Sequence, residues 1–172
     1  MVGTRATLRS VQDKRSLRAT MRQRRRLIAA DPADRVARSA HIWRRIVTAA
    51  ELGPGRRVML FESLPTEPET AAWFAWCREH DVEVFVPAVD GPELRVEPGD
   101  VDPQSLDVVV VPGLAFTADG RRLGQGGGHY DRFLPRLRPS CVTVGAAFAE
   151  QLVEDLPTES HDARVSLVVT DG

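Results

Sequence analysis

The sequence predicts an α/β fold in which a mainly parallel sheet lies between layers of helices. Short strand-like runs alternate with longer segments of helical periodicity, and parallel strands need such helical crossovers. Two runs, VVVV at 108–111 and VTVGAA at 142–147, are typical of central strands that are buried on both faces. Further strands are expected at 57–61, 83–87 and 166–170. We therefore expect a three-layer α/β/α domain.

Two helices are predicted before the first strand. The first runs over 10–29, with an apolar stripe of Leu17, Met21 and Ile28, and residues 1–9 are expected to be a disordered tail. The second begins after Asp31-Pro32, because aspartate is a good N-cap and proline fits the first helical position. Its expected core face consists of Val36, Ala40, Trp43, Ile46 or Val47, and Ala50.

The third helix is expected to follow a capping box formed by Thr66 and Glu69, and to reach His80. A stretch rich in proline and glycine follows at 90–103, with one short strand predicted at 94–96. The sequence has no internal repeats, so a single α/β domain is expected over 10–172.

The composition is typical of a globular protein, and it favours a cytoplasmic location. No apolar run approaches the length of a membrane span, and the arginine-rich N-terminus lacks the apolar segment of a signal peptide. Cys77 and Cys141 have no metal-ligand spacing, so we expect both to be small buried side chains in a reducing compartment.

The stretch GQGGG at 124–128 carries the strongest functional signal. It lies between the predicted strand at 108–111 and an expected helix, where backbone N–H groups and the helix dipole favour an anion. Arg122, just upstream, suits a phosphate oxygen. A tight strand–helix turn is the alternative. The loop lacks the lysine of a Walker loop and has His129 where a dinucleotide fingerprint needs glycine, so these patterns indicate only a phosphate-like ligand.

Ligands of open α/β sheets bind beyond the carboxyl ends of the strands. The loops that follow Phe61 and Val111 both leave from such ends. We therefore expect Glu67 and the glycine loop to face one crevice, although they are far apart in sequence.

Four segments together resemble the 5-formyltetrahydrofolate cyclo-ligase family. RLGQGGGHYDRFL, preceded by VPGLAFTADG, is similar to the family signature R-L-G-x-G-x-G-Y-Y-D, and KRSLR at 14–18, SLPTEPET at 63–70 and LPTESHD at 156–162 follow the family order. The resemblance implies a NagB/RpiA/CoA-transferase-like fold. It also implies conversion of 5-formyltetrahydrofolate to 5,10-methenyltetrahydrofolate by a monomer, with ATP as co-substrate and Mg²⁺.

The resemblance also implies roles for individual residues. Glu62 and Glu67 would bind the folate substrate, Asp131 would hold Mg²⁺, and Lys14 and Arg122 would act in catalysis. The residues expected to bind ATP are Lys14, Arg15, Ser16, Leu17, Arg18, Arg122, Leu123, Gly124, Gln125, Gly126, Gly127, Gly128, His129 and Tyr130. Both acids have simpler explanations from sequence alone. Asp131 could complement a helix dipole, and Glu67 could be a first-turn acid of the capped third helix.

The basic residues are concentrated at the N-terminus. Residues 1–30 hold nine basic side chains and one acid, a local charge of +8, although the whole chain carries −1. Lys14 is the only lysine. Such a block could be the solvated face of a helix docked on an acidic body, or could bind nucleic acid, ATP or a polyglutamate tail. No aromatic residue is interleaved to stack on bases, so nucleic acid is the least favoured partner.

Two positions depart from the family pattern. His129 stands where the family usually has tyrosine, and Ser166 where it usually has an aspartate near the metal. Asp162 is a candidate to replace that carboxylate. The departures motivate an alternative, in which the protein binds folate or nucleotide as a sensor or sequestering protein without efficient turnover.

Overall fold

The computed structural model describes residues 7–99 and 101–172, and side chains from Lys14 onward. In this part of the chain there are four α-helices: α1 (Thr7–Ile28), α2 (Pro32–Ala49), α3 (Ala71–Glu79) and α4 (His129–Phe133). The strands are β1 (Arg57–Met59), β2 (Glu83–Asp90), β3 (Glu93–Glu97), β4 (Val108–Val111), β5 (Ala115–Phe116), β6 (Arg122–Leu123), β7 (Val142–Ala146) and β8 (Leu167–Val169).

Six strands form one sheet in the order β3-β2-β1-β4-β7-β8. Every neighbouring pair is parallel except β2 and β3, which form an antiparallel hairpin at one edge. The prediction of a mainly parallel sheet is confirmed. The sequence patterns did not indicate the second sheet, an antiparallel pair of β5 and β6 that projects beyond β4.

The two faces of the sheet are covered differently. Helices α2 and α3 pack on one face, where the rings of Trp43 and Trp73 stack with their centroids 5.2 Å apart. The other face is covered by α4, a 3₁₀ turn at Leu134–Arg136 and the β5–β6 pair, through side chains such as Phe116 and Phe133. The fold is the expected α/β/α arrangement, with one layer built mostly of short elements.

Helix α1 lies across the end of the sheet. It begins at Thr7, three residues before the expected start, and the rest of the predicted tail, residues 1–6, lies outside the described residues. Met21 is 1% exposed and packs with Leu114, Leu123 and Leu156. This packing places α1 over the loops that leave the carboxyl end of β4.

Helix α2 begins as predicted but presents a different face. The Asp31 side chain accepts hydrogen bonds from the backbone N–H groups of Ala33 and Asp34. The expected core positions Val36 and Ala40 are exposed, so that part of the prediction is wrong. Ser39 is buried instead, because its hydroxyl accepts the N–H of Glu69 and its carbonyl accepts the Trp73 indole N–H.

The capping box predicted at Thr66 and Glu69 is wrong, since α3 starts at Ala71. The Thr66 hydroxyl accepts a hydrogen bond from Arg25 instead, and Glu69 accepts the N–H of Ala71, two residues on. Ser63 and Thr70 close the preceding segment into a loop, because each backbone N–H bonds the other's hydroxyl. As a result, residues 60–70 form a loop before α3 begins.

The remaining boundaries differ in detail. Strand β1 ends at Met59 rather than Phe61, and β2 continues to Asp90 because β3 pairs with it. Cys77 and Cys141 are free and buried as expected, and burial raises the pKa of the two thiols to about 12 and about 11. Across the described residues, none of the helices is long and apolar enough to cross a membrane.

Candidate functional site

A cavity of about 280 Å³ lies at the carboxyl end of the central strands. Its wall is built from five stretches of chain that are remote in sequence. The residues that line it are Lys14, Arg18, Glu67, Pro87, Val89, Leu94, Pro112, Gly113, Arg122, Leu123, Gly124, Gln125, Gly126, Gly127, Gly128, His129, Tyr130, Asp131, Glu159, His161 and Asp162. Glu67 and the glycine loop therefore share one cavity, as expected for loops that leave from the carboxyl ends of strands.

The glycine loop, residues 124–128, has a backbone that only glycine adopts easily. Gly126 and Gly128 have φ angles of +113° and +67°. A Cβ atom at Gly124 would lie 2.8 Å from the Arg122 guanidinium, and one at Gly128 would lie 2.8 Å from that of Arg132. Among the described residues, the N–H groups of Gly126, Gly127 and Gly128 have no protein acceptor. The loop can therefore offer backbone donors to an anion.

The helix that follows the loop is short. Helix α4 has five residues and continues into the 3₁₀ turn at 134–136. A helix of this length has a small dipole. Any anion binding at the loop must therefore depend mainly on its backbone N–H groups and the neighbouring guanidinium groups.

Arg122 and Asp131 form an ion pair in the wall. Arg122 Nη2 lies 3.1 Å from Asp131 Oδ1, and the side chains are 5% and 19% exposed. The backbone N–H of Ala163 donates to the same oxygen. Within the described chain, Asp131 Oδ2 accepts no hydrogen bond, so one carboxylate oxygen is available at the cavity. A single carboxylate of this kind suits Mg²⁺, which takes its other ligands from phosphate and water.

Lys14 lies between two acids of the segment LPTESHD. Its Nζ is 2.7 Å from Glu159 Oε2 and 2.8 Å from Asp162 Oδ2. Burial opposes the charge of Lys14, but hydrogen bonds to both carboxylates outweigh it and raise the pKa of the amine. Burial likewise opposes the charge of Asp162, and Lys14 and the Glu159 N–H hold the pKa of that carboxyl below its usual value. The three groups are therefore ionised together.

Glu67 lies in a buried ion pair. Its Oε1 is 3.3 Å from Arg25 Nη1, and the side chains are 7% and 3% exposed. Oε2 accepts the N–H of Leu64, and Arg25 also donates to Thr66 and to the carbonyl of Gly113. The alternative explanation of Glu67 as a first-turn acid of α3 is wrong, because that helix starts four residues later.

Tyr130 contributes a hydroxyl that has no partner among the described residues, although it is buried. Burial raises the pKa of this phenol, and the negative charge of Glu67 raises it further. The Arg122 guanidinium, 5.4 Å from the ring centroid, lowers the pKa and so opposes both. Buried hydroxyls are rarely left without a partner, so this group is a candidate for ligand contact.

Several predicted site residues lie outside the cavity wall. Only Lys14 and Arg18 of the segment 14–18 line it, because residues four apart share one face of a helix. Arg15 and Ser16 are exposed and Leu17 packs beside Met21, so their assignment to ATP binding is not supported by position. Glu62 is exposed and outside the wall, which contradicts a place beside Glu67.

Ser166 also lies away from the cavity. It precedes β8, and its hydroxyl lies 3.0 Å from that of Thr143 in the parallel strand β7. This is the amino end of those strands, whereas Pro112 and Gly113 follow the carboxyl end of β4. The serine therefore leaves no gap in the cavity wall.

Sequence reasoning gave no role to Arg25, Glu159 or His161, and none to the apolar wall of Val89 and Leu94. The segment LPTESHD could have indicated Glu159 and His161, because it already contributed to the resemblance. Arg25 gave no distinctive signal, because it stands in a run of three arginines.

Most of the basic residues of α1 with described side chains bind other parts of this chain. Arg18 donates to Gly124 O, Arg22 to Gln125, and Arg24 to Glu150 O. Together with Lys14 and Arg25, five of the seven basic side chains of α1 that the structure describes contact other parts of the chain. Neutral backbone carbonyls and the Gln125 amide, rather than an acidic body, accept the hydrogen bonds of three of them.

Comparison with known proteins relates this chain to one family. The model of the 5-formyltetrahydrofolate cyclo-ligase family matches residues 89–171. The 5-formyltetrahydrofolate cyclo-ligase of Mus musculus is 28% identical over 91% of this chain and 92% of its own length. That of Escherichia coli K12 is 45% identical over 45% of this chain and 44% of its own.

Two solved structures have the same fold. The 5,10-methenyltetrahydrofolate synthetase of Mycoplasma pneumoniae superposes with a TM-score of 0.81 at 24% identity, covering 93% of this chain and 99% of that one. The synthetase of Aquifex aeolicus gives a TM-score of 0.80 at 27% identity, covering 92% and 90%. The family model covers about half of this chain, and the relatives and solved structures that resemble it over nine-tenths of its length are 5-formyltetrahydrofolate cyclo-ligases and 5,10-methenyltetrahydrofolate synthetases.

Proposed function

We propose that the protein converts 5-formyltetrahydrofolate to 5,10-methenyltetrahydrofolate, using ATP and Mg²⁺ and releasing ADP and phosphate. One observation carries the proposal. A single cavity brings the cations Lys14, Arg18 and Arg122 together with the glycine loop and with the fixed carboxylate of Glu67. A triphosphate and a folate ring system need these two kinds of contact side by side.

The reaction needs an activated oxygen. The formamide oxygen on N5 of the substrate is a poor leaving group, so ATP transfers its γ-phosphoryl group to that oxygen and ADP leaves. N10 then attacks the formyl carbon of the resulting imidate phosphate and loses its proton to water, the ring closes, and the C–O bond breaks to release phosphate. The protein has little covalent work to do. Positioning and charge neutralisation supply most of the catalysis.

The nucleotide side of the cavity supplies positive charge and donors. In this proposal Lys14 leaves its two acids to approach the transferred phosphoryl group, and Arg18 and Arg122 neutralise the rest of the triphosphate. The N–H groups of the glycine loop bind phosphate oxygens. Asp131 would hold Mg²⁺ through Oδ2, and the ion would supply further neutralisation of the phosphates when bound.

The folate side supplies orientation. The Glu67 carboxylate is held by Arg25 and the Leu64 N–H, and a fixed carboxylate is a suitable acceptor for paired N–H groups such as those of a pterin ring. Val89 and Leu94 provide apolar wall for the ring system. The Tyr130 hydroxyl adds a hydrogen-bond donor, because it has no acceptor among the residues of the described chain.

The test is an absorbance assay with purified protein, 5-formyltetrahydrofolate, ATP and Mg²⁺. We expect ATP-dependent growth of the near-ultraviolet band of the methenyl product, slowed by roughly 10²–10³-fold in Lys14→Ala and retained by the control Arg26→Ala. Arg26 is exposed on the same helix. A flat trace from folded wild-type protein would contradict the proposal.

A second candidate function is folate or nucleotide binding without turnover. The observation that favours it is that Lys14 and Arg122, the two proposed catalytic cations, are both already paired with carboxylates. Calorimetry distinguishes the candidates. Binding of both ligands without release of ADP would support the binding protein, and steady release of ADP would rule it out.

A further inference from the structure

Two carbonyl oxygens of the glycine loop, those of Gln125 and Gly127, are held by arginines that do not line the cavity. Arg22 Nη2 donates to Gln125 O at 3.3 Å, and its guanidinium also donates to Gln125 Oε1 at 3.1 and 3.2 Å. Arg132 Nη2 donates to Gly127 O at 2.8 Å. Neither arginine is part of the cavity wall, whereas Gln125 and Gly127 are. These two carbonyl groups therefore point away from the cavity.

The direction of a carbonyl sets the direction of the next N–H group. In a trans peptide the C=O of one residue and the N–H of the next lie in one plane and point in opposite directions. The contact of Arg22 with Gln125 O therefore turns the Gly126 N–H inward, and the contact of Arg132 with Gly127 O turns the Gly128 N–H inward. Gly126 and Gly128 are the two loop residues with left-handed φ angles, and their N–H groups have no acceptor within the described chain.

Arg132 is itself fixed in place. Its Nε donates to Pro92 O at 2.8 Å, and Pro92 lies in the turn between β2 and β3. His129 Nε2 lies 3.3 Å from Gly91 O in the same turn. The hairpin thus anchors one side of the loop, and α1, through Arg22, anchors the other.

We propose that Arg22 and Arg132 are positioning residues that orient the N–H groups of Gly126 and Gly128 toward a phosphate without touching it. The inference rests on the proposed function, in that it assumes the glycine loop binds ATP. It assigns part of the basic block of α1 to the geometry of the backbone rather than to direct contact with an anion.

Calorimetric titration of the full-length protein with MgATP tests the inference. For Arg22→Ala and Arg132→Ala we expect Kd to rise about ten-fold each, as for loss of one hydrogen bond to a charged group. The matched control is Arg26→Ala, which removes the same charge from α1 without a loop contact. Binding of 5-formyltetrahydrofolate should change less than two-fold in all three variants.

Lysine variants separate geometry from charge. Arg22→Lys keeps the charge but loses the planar fork, so it should weaken MgATP binding nearly as much as Arg22→Ala, and raising the ionic strength should not remove the difference. If Arg22→Ala and Arg132→Ala match Arg26→Ala, or if Arg22→Lys restores wild-type affinity, the inference is wrong. If wild-type protein does not bind MgATP, the proposed function itself fails.

Discussion

Two ionic groups border the cavity from positions about three turns apart on α1, and they differ in their exposure to water. The pair of Arg25 and Glu67 is 3% and 7% exposed, whereas Lys14 is paired with Asp162 at 16% and Glu159 at 52%. A buried carboxylate that loses its partner carries a large desolvation penalty, but a half-exposed one can turn to water. The comparison indicates a fixed group on the folate side and an exchangeable group on the nucleotide side.

The difference fits the two tasks that we propose. A group that orients a ring system should already be in place before the substrate binds, and Glu67 is held at both oxygens. A cation that follows a phosphoryl group from donor to acceptor must be able to move. The long, unbranched side chain of Lys14 and the accessible acids beside it permit such movement.

The largest expected effect comes from breaking the buried pair. Arg25→Met should lower the free energy of unfolding by about 3–5 kcal/mol, because Glu67 is left buried without its cation. Arg25→Met combined with Glu67→Gln should lose clearly less than the sum of the two single changes. Urea unfolding of the three variants measures this coupling. Strictly additive losses would show that the two residues do not act as a unit.

The next effect should appear in catalysis and not in stability. We expect Lys14→Ala to reduce kcat by roughly 10²–10³-fold, as for removal of one group that stabilises transition-state charge. The free energy of unfolding should change by about 1 kcal/mol or less, since Glu159 is half exposed and Asp162 keeps the hydrogen bond from the Glu159 N–H. Turnover and urea unfolding of the same preparation test this contrast. A large loss of stability with intact kcat would reverse the roles of the two groups.

The two acids beside Lys14, Asp162 and Glu159, should contribute different amounts to the stability of the fold. Asp162→Asn should cost about 1 kcal/mol of unfolding free energy, because Asp162 is largely shielded and also accepts the Glu159 N–H. Glu159→Gln should shift the melting temperature less, since that side chain is half exposed. Thermal unfolding of the two variants side by side checks the order. An equal or larger shift for Glu159→Gln would contradict it.

The pH dependence of this cluster follows from the pKa directions. The pKa of Asp162 is lowered, so its contribution to stability is present above the ordinary carboxyl pKa of about 4 and is lost as the pH falls through the lower folded value. The pKa of Lys14 is raised, so its contribution is lost only above about 10.5. His161 Nε2 lies 3.8 Å from Asp162 Oδ1, so the stability difference between wild type and Asp162→Asn should be constant only above the range in which histidine side chains ordinarily titrate, from about pH 8 to pH 9. Urea unfolding across that range measures it, and a slope within the range would disprove the assignment.

The smallest effect is expected at Ser166. Because its hydroxyl lies beside Thr143, away from the cavity wall, Ser166→Asp should change kcat and the Mg²⁺ requirement by less than about two-fold. Turnover at several Mg²⁺ concentrations tests this. A marked gain in Mg²⁺ affinity would show that the usual family aspartate does act at this position.

The strands were predictable because the sheet interior imposes a local pattern. The run at 108–111 is fully buried, and four consecutive valines are typical of a strand that is buried on both faces. The segment at 66–69 was not predictable. It matches a capping box, yet the Thr66 hydroxyl pairs with Arg25, 41 residues away, and this long-range contact overrides the local preference.

The site shows the same division between local and long-range information. The glycine loop and Lys14 carry recognisable motifs, so their approximate location could be predicted. The motif KRSLR could not indicate which of its residues face the cavity until the helix position was known, since periodicity alone leaves the orientation of the face open. Arg25 and Glu67 are paired by the docking of α1 on the loop at 60–70, and sequence order gave no sign of it.

Helix α1 sets the spacing between the residues that it contributes to the site. Four basic residues of the helix form hydrogen bonds with residues outside it: Lys14, Arg18, Arg22 and Arg25. The spacing of these residues is set only by the regular rise and turn of the helix. One residue inserted between Arg18 and Arg22 would rotate the later pair by about 100° relative to the earlier one. The side chains on the phosphate side and those on the folate side could then no longer face the cavity together, although every side chain was still present. The helical register itself is therefore a part of the site that no single substitution can reveal.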